Sequence, residues 1–282
     1  MSKSKGIKQK SSRLILRIVL LAATFIFVYP FVWNLLASFK TNKEIMTSPW
    51  GIPAIPQFAN FTRAFKESNM GGFIINSFLV TGLSMLLLLI LVIPTAYALS
   101  RFDFKGRKVL HNFYMAGLFI QPVYIMIPLF LMMNNLHLLD NRFWLSLVYA
   151  AGALPFSIYL LTGFMRSIPK EFEESAFIDG SGYFRTLISI IVPLAKPGIL
   201  TVIIFNFFTF WNEYALALVL ISSDAKKTIP VGLANLMEVQ RFATDWAALF
   251  AGLVLVLLPT ITLYALTQKK LTEGMSMGGL KG

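Results

Sequence analysis

The sequence predicts an all-α membrane protein with six transmembrane helices, and three observations carry that prediction. Six apolar runs each reach the roughly 20 residues that a bilayer core requires. Hydrophobic residues make up 56% of the 282-residue chain and charged residues 13%, with a mean hydropathy of +0.69; soluble domains carry about a quarter charged residues. Between the fourth and fifth runs lies a polar island, residues 169–197, with too few consecutive apolar residues to cross a bilayer.

The elements follow in order. Residues 1–13, MSKSKGIKQKSSR, are basic and polar and read as a disordered tail. Residues 14–39 form the first span: the run exceeds the roughly 7 to 15 apolar residues of a signal peptide, and no small-residue cleavage site follows it. Arg17 near its inner end can snorkel to lipid phosphates. Residues 40–72 form an extracytoplasmic loop, with Pro49, Pro53 and Pro56 beside Trp50 and a short helix around 61–66. The second span covers 73–99, with a kink expected at Pro94. The third, 110–133, carries Pro122 and Pro128, which excludes a straight helix. NNLHLLDNR leads to the fourth span, 143–165. The fifth covers 198–221 and the sixth 246–268, separated by a loop and a weak helix around 233–241; residues 269–282 form a glycine-rich tail. The set of ends that includes both termini, the second connection and the polar island carries sixteen Lys and Arg, the opposite set eight. The excess faces the cytoplasm, and places both termini and the island there.

Within the island Pro169 suits a first helical turn, and Glu171, Glu173 and Glu174 fall where the helix dipole favours acids. Asp179-Gly180-Ser181-Gly182 stops that helix. Phe184, Leu187, Ile188 and Ile191 then recur at helical spacing. Two short helices at an angle, exposed to water, are expected.

Composition excludes several chemistries. The formal charge is +12, but no compact basic domain exists to bring it to nucleic acid; topology and anionic lipid account for it. Without cysteine there is no disulfide or thiolate chemistry. His111 and His137 are lone residues at span ends, so neither a catalytic nor a metal set is expected. No GxxxxGK[ST] sequence is present to cradle nucleotide phosphates in the P-loop manner.

Glu174-Ser175-Ala176, three residues, Gly180, nine residues, Ile190, one residue and Val192-Pro193 together resemble the EAA loop of importer-type ABC permeases, with Ser175 where Ala is usual and Val192 where Leu is. FIINSFLV, RFDFKGRK, LPFSIYLL, FWNEYALAL and TIPVGL extend the likeness over nearly the whole chain to sugar-importing permeases of the maltose-type class. QKKLTEGMSMGGLKG is similar to the tail of the second permease subunit of that class, with Ser276 and Met277 where Thr and Ala are usual. The resemblance implies the type I ABC importer permease fold and a non-enzymatic subunit in the cytoplasmic membrane of a prokaryote. It implies translocation of a carbohydrate, with a di- or oligosaccharide preferred. Its implied partners are a second homologous permease subunit, two ATP-binding subunits that hold ATP and Mg, an extracytoplasmic sugar-binding protein and membrane lipid. This chain itself is then expected to bind no cofactor. Glu174, Ser175, Ala176, Asp179 and Gly180 would dock on the ATPase, and Gly278, Gly279 and Lys281 of the tail would also contact it.

Polar residues inside spans are costly against lipid and tend to face a cavity or a partner helix. Asn76, Gln121, Tyr124, Asn206, Trp211, Asn212 and Glu213 are therefore candidates for a substrate pathway, with helix packing an equally open role for each. Glu213 is placed about 15 residues into a continuous fifth span, near its outer face. An ion-coupled secondary transporter is the alternative; it would need carboxylates near the midplane and often internal repeats, which are not convincingly present.

Overall fold

The computed structural model describes residues 2–67, 69–239 and 245–279. Among them every regular element is helical: α1 (Ser2–Ala37), α2 (Asn42–Thr47), α3 (Ala59–Thr62), a π-helical stretch (Arg63–Glu67), α4 (Met70–Arg101), α5 (Arg107–Gly117), α6 (Pro122–Asn135), α7 (Arg142–Ser167), α8 (Glu171–Ile178), α9 (Tyr183–Thr186), a second π-helical stretch (Leu187–Ile191), α10 (Val192–Leu194), α11 (Lys196–Trp211), α12 (Ala215–Leu220), a 3₁₀ turn (Asp224–Lys226), α13 (Ile229–Val239) and α14 (Trp246–Gly279).

Four of these are long and apolar enough to cross a membrane: Arg13–Ala37 within α1, α4, α7 and Trp246–Leu266 within α14. Two bent pairs raise the count to six if each is one span: α5 with α6, bent by 102°, and Tyr183–Leu194 with α11, bent by 75°. The chain is a multi-pass membrane protein.

One expectation is sharpened and three need correction. The third span is two helices, because Pro122 opens α6 and holds Gln121 in extended backbone (φ −75°, ψ 137°), as the residue before proline requires. The fifth span is also broken: α11 stops at Trp211, α12 starts at Ala215, and Glu213 lies between them instead of inside a helix. The amino-terminal segment expected as a disordered tail has helical backbone from Ser2, continuous with α1; its Lys, Gln and Arg residues are good helix formers and offset Gly6 and the four serines. Likewise α14 continues to Gly279 through residues expected as a separate tail, where Gln, Lys, Leu, Glu and Met favour helix. Pro94 lies inside α4, which continues past it.

The chain divides into two compact units, residues 1–70 with 235–257 and residues 71–234 with 258–282. In the first, the segment after α1 folds back through polar contacts. Buried Lys40 donates to the carbonyls of Ser48 and Pro49 at 3.0 and 2.9 Å, and the Asn60 amide donates to those of Ser38 and Lys40, both at 2.8 Å. α2 begins in a reciprocal box: the Glu44 N–H donates to the Thr41 hydroxyl, and the Thr41 N–H donates to the Glu44 carboxylate. Trp33 meets Phe250 edge-on at 5.1 Å and donates its indole N–H to Pro49. Asp245 accepts from Asn42 and Arg63.

The second unit is built on α4, α7 and α11, whose Leu88, Val92, Leu145, Ile158, Leu161 and Val202 are buried together. Lipid is as apolar as these side chains, so close packing and interhelical hydrogen bonds hold such helices rather than escape from water. Gly198 on α11 allows one such approach: a Cβ there would lie 2.6 Å from Cγ of Phe164 on α7. The Asn206 amide donates to Ser157 Oγ at 2.9 Å, tying α11 to α7. Ser146 Oγ donates to the Val80 carbonyl at 3.3 Å, tying α7 to α4.

Candidate docking segment and polar residues of the spans

The island forms two helices, as its sequence pattern requires. α8 carries Glu171, Glu173 and Glu174 in its first turn. It ends where the Gly180 N–H donates to the Phe177 carbonyl at 3.0 Å and the Ser181 N–H to that of Ala176 at 2.9 Å, the crossed closure in which the residue after the cap is left-handed. Gly180 has φ +79°, a conformation that side-chain-bearing residues adopt only at a cost.

The second helix runs from Tyr183 to Leu194 as α9, the π-helical stretch and α10. Pro193 lacks an N–H, and its ring would clash with the carbonyl of Ser189 in regular α geometry; a wider turn at 187–191 accommodates it. Of the four apolar residues at helical spacing, Leu187 and Ile191 are buried, whereas Phe184 and Ile188 are exposed.

Neighbouring residues of α8 have opposite fates. Glu174 and Ser175 are exposed, and Ser175 Oγ donates back to the Glu171 carbonyl at 2.8 Å. Glu173 and Ala176, three apart and so on one face, are buried. Glu173 Oε1 lies 2.8 Å from Arg101 Nε at the end of α4, the two side chains being 9% and 4% exposed. This pairing escaped the sequence reading.

The seven polar residues of the spans separate into two groups. Asn76 is buried: its amide N–H₂ donates to the carbonyls of Ala225 and Lys227, both at 2.9 Å, and its carbonyl accepts from Arg142. Asn206 is held by Ser157 and Val202. Trp211 is buried, stacked on Phe207 and edge-on to Phe78 at 4.8 Å. Glu213 accepts from Tyr149 Oη at 2.5 Å and from the N–H groups of Leu216 and Ala217 at 2.7 and 3.0 Å; it satisfies the first turn of α12 across the break. Gln121, Tyr124 and Asn212 are exposed instead, Tyr124 at 77%. A cavity of about 600 Å³ is lined by Asp103, Arg107, Lys108, His111 and Arg166 among others, and by none of these seven.

A second polar cluster was also missed. Asp140, between α6 and α7 with φ +53°, accepts from the N–H and hydroxyl of Ser223 at 2.9 and 2.5 Å and from Lys226 Nζ at 2.7 Å. The hydrogen bond from Lys226, then those from Ser223, hold its carboxyl far below the ordinary carboxylate range despite some burial. Asp140 and Asn76 thus fasten the 221–228 loop from two sides.

Gly278 and Gly279 lie in the helical backbone of α14, and Lys281 falls outside the described residues. No group of three His, Cys, Asp or Glu that could hold a metal ion is found among the described residues.

The fold matches a bacterial ABC transporter involved in the import of the acidic polysaccharide alginate, solved as a crystal structure, with a TM-score of 0.81 and 26% identity over 90% of this chain and 95% of that one. Long membrane-crossing helices, two bent pairs and a short two-helix polar segment define a permease of the type I ABC importer fold. Over 260 residues the chain is 34% identical to the diacetylchitobiose uptake system permease protein NgcG of Streptomyces coelicolor, covering 92% of this chain and 86% of that protein. It is 39% identical over 261 residues to a putative ABC transporter permease protein, ORF2, of a Caldicellulosiruptor species, covering 92% and 94%. Residues 91–273 match the family described as binding-protein-dependent transport system inner membrane component, and the chain belongs to that family. It is a non-catalytic membrane subunit of such a system.

Proposed function

We propose that this chain is the second-type permease subunit of an ATP-driven carbohydrate importer. It pairs with a homologous permease chain, two ATP-binding subunits that carry ATP and Mg, and an extracytoplasmic sugar-binding protein. Both termini and the 171–194 segment face the cytoplasm, where Glu174, Ser175, Ala176, Asp179 and Gly180 meet the ATPase; Gly278, Gly279 and Lys281 add a second contact. The supporting observation is α8 itself, whose Glu174 stays exposed beside a glycine-closed end while its other face is anchored. Motion of the ATPase subunits then shifts the two short helices and reorients the spans between inward-open and outward-open states. The carbohydrate class draws support from the uptake of diacetylchitobiose printed for one relative, and a di- or oligosaccharide is the proposed cargo.

For the pathway, Gln121, Tyr124 and Asn212 take precedence. Amide and aromatic side chains suit sugar hydroxyls and ring faces, and these three are exposed. Asn76, Asn206, Trp211 and Glu213 are engaged in packing. The test is uptake of radiolabelled disaccharides into proteoliposomes holding the assembled complex and its binding protein. Uptake that requires internal ATP supports the proposal; uptake that follows a proton or sodium gradient without ATP refutes it in favour of a secondary transporter.

A further inference from the structure

Arg101, the last residue of α4, is joined to three places at once. Its Nε lies 2.8 Å from Glu173 of α8, its Nη2 donates to the Ile168 carbonyl just after α7 at 2.8 Å, and its backbone belongs to α4. The contact with Glu173 is an ion pair by distance, and the directed hydrogen bond of this guanidinium goes to the Ile168 carbonyl. An aromatic string runs beside it. Phe102 meets Tyr97 of α4 and Tyr183 of α9, each edge-on at 5.3 Å, and Tyr183 meets Phe177 of α8 at 5.0 Å. Both short helices are thereby bound to the end of α4.

Stability alone is a poor account of this pair. Two charges buried to this degree lose hydration that their attraction roughly returns, and apolar replacements of similar volume often do as well; removing only one partner leaves an uncompensated charge and is strongly disruptive. What a buried pair between elements 72 residues apart does supply is a fixed attachment.

We infer that Arg101 and Glu173 form the rigid link through which α4 follows the motion of α8, with Glu174 as the outward contact and Glu173 as the inward one. The inference rests on the docking role proposed for α8. Arg101 and Glu173 are positioning residues: neither touches cargo or nucleotide. With the link cut, α8 still moves with the ATPase, while α4 follows it only through the aromatic string.

The chain has no cysteine, so single cysteines at exposed positions, Leu91→Cys on α4 or Tyr159→Cys on α7, can each carry a fluorophore in the full complex. In the otherwise wild-type complex, adding ATP should change the signal at both positions. With Glu173→Gln or Arg101→Gln, the ATP response at the α4 label should fall at least about fivefold, within the range of ordinary coupling energies, while the α7 label still responds. Arg101→Met combined with Glu173→Leu leaves no buried charge unpaired and should lose the α4 response to the same degree, which also covers the outcome in which a single variant fails to assemble. Equal α4 responses in wild type and Glu173→Gln, or a full α4 response in the apolar pair, would overturn the link. Glu174→Ala separates the two proposals: loss of docking silences both labels, whereas loss of the link weakens only the α4 label.

Discussion

At the Arg142 end of α7, polar side chains are used up on one another: Asn76, Arg142, Asp140, Ser223 and Lys226 bind each other and the neighbouring backbone. At the Ile168 end, roughly 39 Å away for a 26-residue helix, Arg101 and Glu173 are likewise enclosed, yet Glu174, Ser175, Phe184 and Ile188 remain exposed. A satisfied cluster holds a loop in place. A half-satisfied one, with one face anchored and the other open, has the form of a segment that receives another subunit. The difference lies in which polar groups still have bonding capacity, since both ends are rich in them.

Three substitutions sharpen that contrast. The largest effect is expected at the satisfied end, where Asn76→Leu strands Arg142 and two backbone carbonyls. It should cost about 2–4 kcal/mol as buried groups lose partners, and thermal unfolding in detergent should show it as a large fall in Tm. Uptake and yield of folded chain should decline together. At the open end, Gly180→Val forces a branched side chain into φ +79° at about 1–2 kcal/mol. Its signature should differ: co-purification of the ATPase should fall more than the yield of folded chain does.

The smallest effect is expected at Asp140, whose side chain is 24% exposed. Its carboxyl is held low by Lys226 and then Ser223. A folded-state pKa below the unfolded value of about 4 means that the stabilisation is present above that value and is lost as pH falls through the folded pKa. Asp140→Asn should therefore lower stability at pH 7 by about 0.5–1.5 kcal/mol, with the gap to wild type closing in strong acid. Tm measured from pH 7 down to the acid limit of folding checks this; a gap that stays constant with pH would remove the carboxylate's charge from the explanation.

Features written in single residues were legible before the structure. Gly180 after a run of acids marks the end of α8, because few other residues tolerate that backbone. Pro122 signals a break in the third span, and the long apolar runs identify α4 and α7. Features that depend on where distant residues meet were not legible. Glu173 and Glu174 differ by one position and about 100° of helix, and only packing decides which is buried against Arg101. Glu213 read as a residue inside a span, but the chain breaks after Trp211 and the carboxylate caps the next helix. Asp140 gave no signal because its partners are some 80 residues on. The box at Thr41 and Glu44 was readable from its spacing and was missed.

The most direct test of the docking role is co-purification. The tagged chain is coexpressed with its candidate permease, ATPase and binding-protein partners, and the amount of ATPase subunit retained is compared between wild type and Glu174→Ala. Glu174 is exposed, so its truncation should leave folding within about 0.5 kcal/mol of wild type. The account predicts that wild type retains the ATPase while Glu174→Ala loses most of it at unchanged Tm. Equal retention by both, or no ATPase with either, would contradict it.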